Sequence, residues 1–317
     1  MIPSFPAMRL LRLADKEEID ALTRGYPPYS DFTFVNLWSW NASTLVCLHN
    51  GNLVLRFADY LTGDPFYMFL GQSRPIETAC ALLERSDEEG LGPRLALVPE
   101  CTAARLGSGV LTVRNNPDQR DYITDIHALA ECSGRRWHRQ RNFVRRFERD
   151  CPRARFSALD LTDRGVRSEI LQVFEEWCEA KGTGADDREH EREALERCIA
   201  SFGSELLACG LYCADRLIGF AIMEPVCNGF AIDCFEKADR WSHIGALQAL
   251  QWHMAGFLRE RGFRYLNIEQ DLGLPGLRRG KQARHPISYL NKYEVCLVRD
   301  RHVRAGRRAI AADVPFP

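Results

Sequence analysis

Carboxylates and cations stand close together in the stretch NIEQDLGLPGLRRGKQARHP. Side chains two residues apart along a strand point to the same face, so Glu269 and Asp271 are expected together, opposite Leu266 and Ile268. The apolar pair should face the core, under the preceding helix. A carboxylate at a strand end beside a cleft can have its pKa raised by partial burial and act as a general base. The candidate catalytic residues are Asn267, Glu269 and Asp271.

Four cations follow within seven residues: Arg278, Arg279, Lys281 and Arg284. They leave two interpretations open. In the first, the carboxylates border a cleft and the cations serve a ligand. In the second, Glu269 and Asp271 pair with Arg278, Arg279 or Lys281 and only fix the loop, as charge pairs near glycine turns commonly do.

A second candidate site is the segment RWSHIGALQAL, which begins at Arg240 and opens a predicted helix. Helix N-termini present unpaired N–H groups and a positive dipole end, which suit a phosphate. Arg240 and Gly245 keep the spacing of an R-x-x-G-x-G loop, but His243 stands where the first glycine belongs. The alternative is a plain helix start without a ligand.

A third candidate is the arginine-rich segment SGRRWHRQRNFVRRFERD. Seven arginines fall between Arg135 and Arg149, and the first acidic residue after Glu131 is Glu148. A helix here would use Phe143 and Phe147 on one face for packing. It could serve as a solvated surface or as a binding site for a polyanion such as tRNA, a lipid headgroup or a nucleotide. The candidate polyanion-binding residues are Arg135, Arg136, Arg139, Arg141 and Arg145.

Composition and spacing narrow the class of protein. The net charge of -1 gives no global attraction to nucleic acid or membrane. No apolar run is long enough to span a bilayer, and no signal peptide is evident, so a cytoplasmic, reduced protein is predicted. The twelve cysteines include no C-x-x-C pair, which argues against a zinc site or a disulfide framework. P-loop, α/β-hydrolase and HExxH motifs are absent, and no metal is expected.

The elements that position these residues follow a repeated order. TLVCLHNGNLVLRF predicts a hairpin turning at Asn50-Gly51, followed by a strand, a helix and a strand. The same order recurs over 205–269, so two mixed α/β lobes are predicted, over 1–155 (with the basic helix near 135–149) and 156–317. The aromatic stretch DFTFVNLWSWN favours a buried core or interlobe contact over a pocket wall.

Four stretches together resemble a known family: YSDFTFVNLWSWN, SGRRWHRQRNFVRRF, DRLIGFAI, and NIEQDLGLPGLRRGKQARHP with YLNKYEV behind it. They are similar to bacterial domains of unknown function related to the C-terminal region of phosphatidylglycerol lysyltransferase and, more distantly, to Fem-type aminoacyltransferases. The resemblance covers about residues 26 to 298. It implies two tandem GNAT-like lobes, each a mixed, mostly antiparallel sheet flanked by helices (α/β, α+β).

The resemblance also implies transfer of an acyl or aminoacyl group to an amine or hydroxyl. The expected co-substrate is acyl-CoA or aminoacyl-tRNA, with no tightly bound cofactor. Glu269 or Asp271 would be the base, and Arg278, Lys281 and Arg284 would hold donor phosphates, with the arginines of 135–149 guiding a polyanion in. Contact with lipid headgroups would occur from the surface. The alternative is a non-catalytic module of the same fold that binds RNA or a nucleotide through the basic helix.

Overall fold

The computed structural model describes residues 1–107 and 109–298. Its strands are β1 Arg9–Leu10, β2 Leu45–His49, β3 Asn52–Ala58, β4 Pro65–Leu70, β5 Arg94–Pro99, β6 Leu111–Asn115, β7 Asp121–Asp125, β8 Arg155–Ala158, β9 Leu207–Cys213, β10 Arg216–Pro225, β11 Phe230–Ala238, β12 Tyr265–Asn267, β13 Ser288–Leu290 and β14 Lys292–Leu297. Its α-helices are α1 Lys16–Thr23, α2 Phe34–Trp40, α3 Pro75–Glu88, α4 Glu100–Ala103, α5 Ile126–Glu131, α6 His138–Asp150, α7 Arg164–Lys181, α8 Ala185–Phe202, α9 Ala246–Glu260 and α10 Pro275–Gln282.

Two seven-stranded sheets organise these elements. The first has the order β1-β2-β3-β4-β5-β14-β6, and the second has the order β13-β7-β12-β11-β10-β9-β8. Each sheet contains one parallel pair, β4 with β5 and β11 with β12, among antiparallel neighbours. The two mixed, mostly antiparallel sheets that the sequence predicts are therefore observed.

The predicted repeat of hairpin, strand, helix and strand is confirmed. In the first half β2 and β3 form the hairpin, and β4, α3 and β5 follow. Asn50 and Gly51 both have positive φ, at 51° and 79°, as the tight turn requires. In the second half β9, β10, β11, α9 and β12 keep the same order, with Ala214 and Asp215 in the turn.

The sheets exchange strands, which the sequence did not predict. β7 precedes the expected division at residue 155 but lies in the second sheet, between β13 and β12. β14 belongs to the second half of the chain but lies in the first sheet, between β5 and β6. Sheet membership thus does not follow the predicted ranges 1–155 and 156–317, of which 299–317 lie outside the described residues.

The largest hydrophobic cluster is shared by both halves. It joins Phe34 and Phe57 of the first half to Phe174, Phe202 and Phe220 of the second. The ring of Phe34 contacts that of Phe202 edge-on, with centroids 6.0 Å apart. The prediction that the aromatic stretch forms core or interlobe contacts is confirmed for Phe34.

A second cluster lies under α9. Leu266 and Ile268 are buried there with Leu250 and Met254, as the sequence predicts for the apolar face of this strand. Among the described residues, no helix combines the length and the apolar character needed to cross a lipid bilayer.

Candidate active site

A cleft of about 430 Å³ opens where the parallel strands β11 and β12 separate. The strands pair from Phe230 to Ile232 on one side and from Tyr265 to Asn267 on the other. Beyond these pairs, residues 233–238 of β11 and 268–270 after β12 line opposite walls of the cleft. Divergence of two parallel strands leaves backbone groups without their sheet partners, so it creates both space and polarity.

The strand β12 ends sooner than the sequence predicts, and this corrects the expected alternation. Glu269 has a φ of 59°, in the left-handed region, so Glu269 and Asp271 do not continue the face of Asn267. The Oδ1 atom of Asn267 accepts a hydrogen bond from the Glu269 N–H at 2.7 Å. Asn267 is fully buried, and its amide also donates to the carbonyl of Pro28 at 2.8 Å and to Asp121. Asn267 therefore stabilises the turn at Glu269, and its full burial prevents contact with a ligand.

Glu269 lies on the cleft with part of its surface exposed. Its Oε1 atom accepts a hydrogen bond of 2.7 Å from Asn36, a residue of α2 in the first half of the chain. Burial raises the pKa of the Glu269 carboxyl to about 8, although Lys281 and the Asn36 hydrogen bond oppose the rise. A carboxyl with this pKa changes protonation near neutral pH, as a general base requires.

Lys281 borders the same part of the cleft from α10. Its ammonium group donates to the carbonyl of Ile268, the residue before Glu269. Burial lowers the pKa of Lys281, and the Glu269 carboxylate offsets part of that effect. The pair therefore places a positive charge beside the candidate base.

Asp271 points away from this arrangement and is locked in place. Arg278 donates to both of its carboxylate oxygens at 2.8 Å, and Tyr122 also donates to it. Burial would raise the pKa of Asp271, but the hydrogen bonds from Arg278 and Tyr122 outweigh this and lower it. Arg278 also pairs with Asp118. Asp271 and Arg278 thus form a charge pair that fixes the loop, which is the second of the two interpretations that the sequence left open. Neither residue is placed to act as a base or as a phosphate ligand.

Arg284 is buried at the floor of the cleft between two carboxylates. It donates to Asp233 at 2.9 Å and to Glu236. Burial raises the pKa of Glu236 to about 7, although Arg284 opposes this. Among the residues that the structure describes, one oxygen of each carboxylate, Asp233 Oδ1 and Glu236 Oε2, has no hydrogen-bond partner, and neither has Arg284 Nε. The floor therefore offers two acceptors and one donor to a ligand, which replaces the expected phosphate contact of Arg284.

Aromatic rings from both halves form one wall of the cleft. Trp40 stacks on Phe235 with centroids 5.4 Å apart, and Tyr60 meets Trp40 edge-on. The ammonium groups of Lys181 and Lys237 lie 4.6 and 4.4 Å from the Trp177 ring centroid. The expectation that the stretch DFTFVNLWSWN forms core and not a pocket wall is therefore wrong for Trp40. None of these residues was predicted as a site residue, and neither were Asn36, Asp233 and Glu236. The available signal was the pair of acids inside the otherwise apolar run FAIDCFE.

The Arg240–Gly245 segment does not form the expected phosphate loop. Gly245 has a φ of 92°, and a Cβ atom there would overlap the carbonyl of Phe143 in α6. The glycine thus permits close approach of α6 to the start of α9 and leaves no room for a pyrophosphate at Gly245. Arg240 lies on the rim of the cleft with its guanidinium 4.7 Å from the Trp241 ring centroid.

The predicted basic helix is observed as α6, preceded by a turn of 3-10 helix from Arg135 to Trp137. Within residues 1–107 and 109–298, four arginines of this turn and of α6 are exposed and have no ion-pair partner: Arg135, Arg136, Arg139 and Arg145. Arg141 instead donates to the carbonyls of Cys132 and Gly134, at 2.6 and 2.7 Å, and closes the end of α5. Phe147 is buried as predicted and Val144 is buried with it, whereas Phe143 is only partly buried.

Two cysteines that the sequence predicts to be reduced are joined in the structure. Cys151 follows α6, Cys213 ends β9, and their sulfur atoms form a disulfide with Cα atoms 6.4 Å apart. The expectation of no disulfide is therefore wrong for this pair. The prediction failed because the two residues are 62 positions apart and only the tertiary fold brings them together.

Comparison with known proteins shows which family the sequence matches. The sequence matches the family model described as phosphatidylglycerol lysyltransferase, C-terminal, over residues 23–296. Among proteins of curated function, a search finds no significant match.

Three solved structures resemble the chain over nearly its whole length. A conserved protein of unknown function from Bacteroides thetaiotaomicron is 25% identical, with a TM-score of 0.79 and coverage of 94% of this chain and 100% of that one. L-PGS from Bacillus licheniformis is 17% identical, with a TM-score of 0.58 and 96% of each chain covered. FemX is 11% identical, with a TM-score of 0.55 and coverage of 91% and 96%. The last two show the fold alone, and the predicted tandem GNAT-like architecture is confirmed.

Proposed function

Because the chain belongs to the family of phosphatidylglycerol lysyltransferase C-terminal domains, we propose that it is an aminoacyltransferase. It would move an activated aminoacyl group to an amine or hydroxyl acceptor, with Glu269 as the general base. The observation that carries this proposal is the Glu269 carboxyl itself. It lies at the divergence of two parallel strands, is held by Asn36 from the other half, and has a pKa near 8.

The proposed reaction begins when Glu269 removes a proton from the acceptor amine or hydroxyl. The acceptor then attacks the carbonyl carbon of the donor, the bond to the donor's leaving oxygen breaks, and the proton held by Glu269 passes to that oxygen. A backbone N–H of β11 beyond Ile232, where β12 no longer pairs with it, would stabilise the negative oxygen that forms during the attack. Lys281 would favour the ionised form of the base between turnovers.

Two observations favour an aminoacyl donor over acyl-CoA. First, α6 packs against the backbone of Gly245, where the pyrophosphate of a coenzyme would approach. Second, the unpartnered oxygens of Asp233 and Glu236 suit an ammonium group, and Arg284 Nε suits a carbonyl oxygen. An α-aminoacyl group carries both, whereas an acetyl group has no ammonium to offer.

The exposed arginines of α6 supply the second part of the donor proposal. Arg135 and Arg136 of the turn before α6, with Arg139 and Arg145 of α6 itself, present four positive charges on one segment of a chain whose net charge is -1. Such a surface attracts a phosphate backbone, so tRNA is the proposed carrier of the aminoacyl group. Phosphatidylglycerol, from the family name, is the first hydroxyl acceptor to test.

The test is a panel of donors and acceptors with matched variants. The full chain is incubated with labelled aminoacyl-tRNAs or acyl-CoAs and with phosphatidylglycerol vesicles or soluble amines. We expect product from an aminoacyl-tRNA, loss of product with Glu269→Gln, and retention with Glu260→Gln, an exposed glutamate at the end of α9. Product only from acyl-CoA would contradict the donor assignment, and equal rates for the two variants would contradict the base.

The exposed arginines also favour a second candidate, a binding module without catalysis. Thermal shift separates the two at low and high salt. Stabilisation by aminoacyl-tRNA but not by the deacylated tRNA supports the enzyme. Equal, salt-sensitive stabilisation by both tRNAs, with no product, supports the module.

A further inference from the structure

Three side chains that can bind a metal converge outside the cleft. They are Cys151 after α6, Cys213 at the end of β9, and His243 in the loop before α9. Their ligand atoms all lie within 4.8 Å of one another, and Cys151 Sγ lies 4.0 Å from His243 Nδ1. A disulfide alone gives no reason for an imidazole nitrogen beside it.

We propose that Cys151, Cys213 and His243 form a binding site for a thiophilic divalent metal ion, of which zinc is the probe, in the reduced protein. Two thiolates and an imidazole are ligands that zinc prefers, at about 2.3 Å for sulfur and about 2.0 Å for nitrogen. These lengths place neighbouring ligand atoms about 3.5–3.8 Å apart in a tetrahedron. The lower figure is the one for sulfur and nitrogen, and the observed 4.0 Å exceeds it by about 0.5 Å, which side-chain rotation can close.

The backbones that carry the ligands are already fixed. Cys151 N–H donates to Phe147 at 2.8 Å, and Cys213 lies in the β9–β10 hairpin opposite Arg216. Asp239 accepts from the N–H groups of Trp241 and Ser242, at 3.1 and 2.9 Å, and holds the loop that ends in His243. Binding therefore needs only side-chain rotation after the sulfur atoms part.

Replacement of the disulfide by a bound metal ion takes two steps. A reductant supplies two electrons and two protons to the disulfide and yields two thiols. A zinc ion then displaces two protons as the thiolates bind, and His243 adds a neutral nitrogen. The fourth position is open to water. The site also explains His243, which occupies the first glycine position of the R-x-x-G-x-G spacing.

A metal here would tie together the end of α6, the end of β9 and the loop before α9. It would hold the arginine-bearing helix against α9 in reducing conditions, where the disulfide cannot. The inference does not depend on the proposed transferase activity, because the three ligands lie outside the cleft.

The experiment measures zinc bound by the full chain after reduction with a phosphine and removal of free metal. We expect about one equivalent per chain, and cobalt in its place should show thiolate charge-transfer absorption. Cys151→Ser with Cys213→Ser should abolish binding, and His243→Ala should lower the affinity about tenfold or more.

Cys227→Ser, an exposed free cysteine, and His127→Ala, an exposed histidine, are the controls that should keep the metal. The proposal is overturned if the reduced protein binds no more zinc than the double serine variant. It is also overturned if His243→Ala leaves both the affinity and the cobalt spectrum unchanged. Because the experiment measures bound metal and not activity, a negative result would not bear on the proposed transferase function.

Discussion

Glu269 occupies a backbone conformation that costs a non-glycine residue about 1 kcal/mol or more. Its surroundings fix it there, since Asn267 accepts its N–H and Asn36 donates to its carboxyl. The result is a carboxylate turned out of the strand direction and into the cleft. Partial burial then raises its pKa to about 8. At this scale the site depends on one residue held by two amides, one from each half of the chain.

Lys281 should set the pH at which Glu269 becomes active. Its positive charge favours the carboxylate, so Lys281→Met raises the Glu269 pKa and moves the rise in transfer rate to higher pH. Measured at pH 7, the variant should be slower, and the deficit should shrink as the pH rises above 8. Arg279→Met, an exposed cation on the same helix, is the control and should keep the wild-type profile. Identical profiles for both variants would remove Lys281 from the mechanism.

The helices α6 and α9 pack closely together at the loop where the sequence predicted a phosphate site. Their close packing depends on Gly245, whose positive φ and missing side chain let the Phe143 carbonyl approach. The sequence showed the glycine and the helix start but not the neighbour. Arg240 and Gly245 therefore looked like a coenzyme loop, and only the tertiary fold shows that another helix occupies it.

Gly245→Ala should destabilise the protein by about 1–3 kcal/mol, because the methyl group meets a backbone carbonyl and the positive φ becomes strained. Gly256→Ala, inside α9 with open space around it, should stabilise it by about 0.5–1 kcal/mol. Urea unfolding of both variants measures the difference. A neutral Gly245→Ala would mean that α6 does not pack closely against this loop.

The elements that the sequence predicted are those with local signals. Asn50-Gly51 predicted the hairpin of β2 and β3. The spacing of Leu250, Met254 and Leu258 predicted α9, which lies over the strand that ends in Asn267. The contacts of Asn36 with Glu269 and of Cys151 with Cys213 carry no local pattern, because each joins residues far apart in sequence. The placement of β7 and β14 in the sheet of the other half could not be predicted for the same reason.

In the whole molecule, the two sheets are joined by a cluster of buried ion pairs. Lys292 of β14, in the first sheet, donates at 2.6 Å to Asp121 of β7, in the second, and also pairs with Asp31. All three side chains are fully buried. Together with the exchanged strands and the shared aromatic cluster, this pairing should make the two halves unfold as one unit.

Lys292→Ala should cost about 3–5 kcal/mol, because it leaves two buried carboxylates without their cation. Lys16→Ala is the matched control: Lys16 also pairs with two carboxylates, Asp20 and Glu205, but at a partly exposed site, and its loss should cost less than about 1 kcal/mol. Calorimetry gives both values and shows whether one transition or two occurs. Equal costs, or two separate transitions in the wild type, would contradict the linked architecture.

The role of Glu269 as the base is tested by the pH dependence of a single turnover with a competent aminoacyl donor. For the wild type, the rate should rise as the Glu269 carboxyl deprotonates and level off above about pH 8. For Glu269→Gln, the rate should fall by about 10²–10⁴ and lose this rise, while the unfolding temperature stays the same. A variant that keeps the wild-type rate and profile would show that Glu269 is not the base.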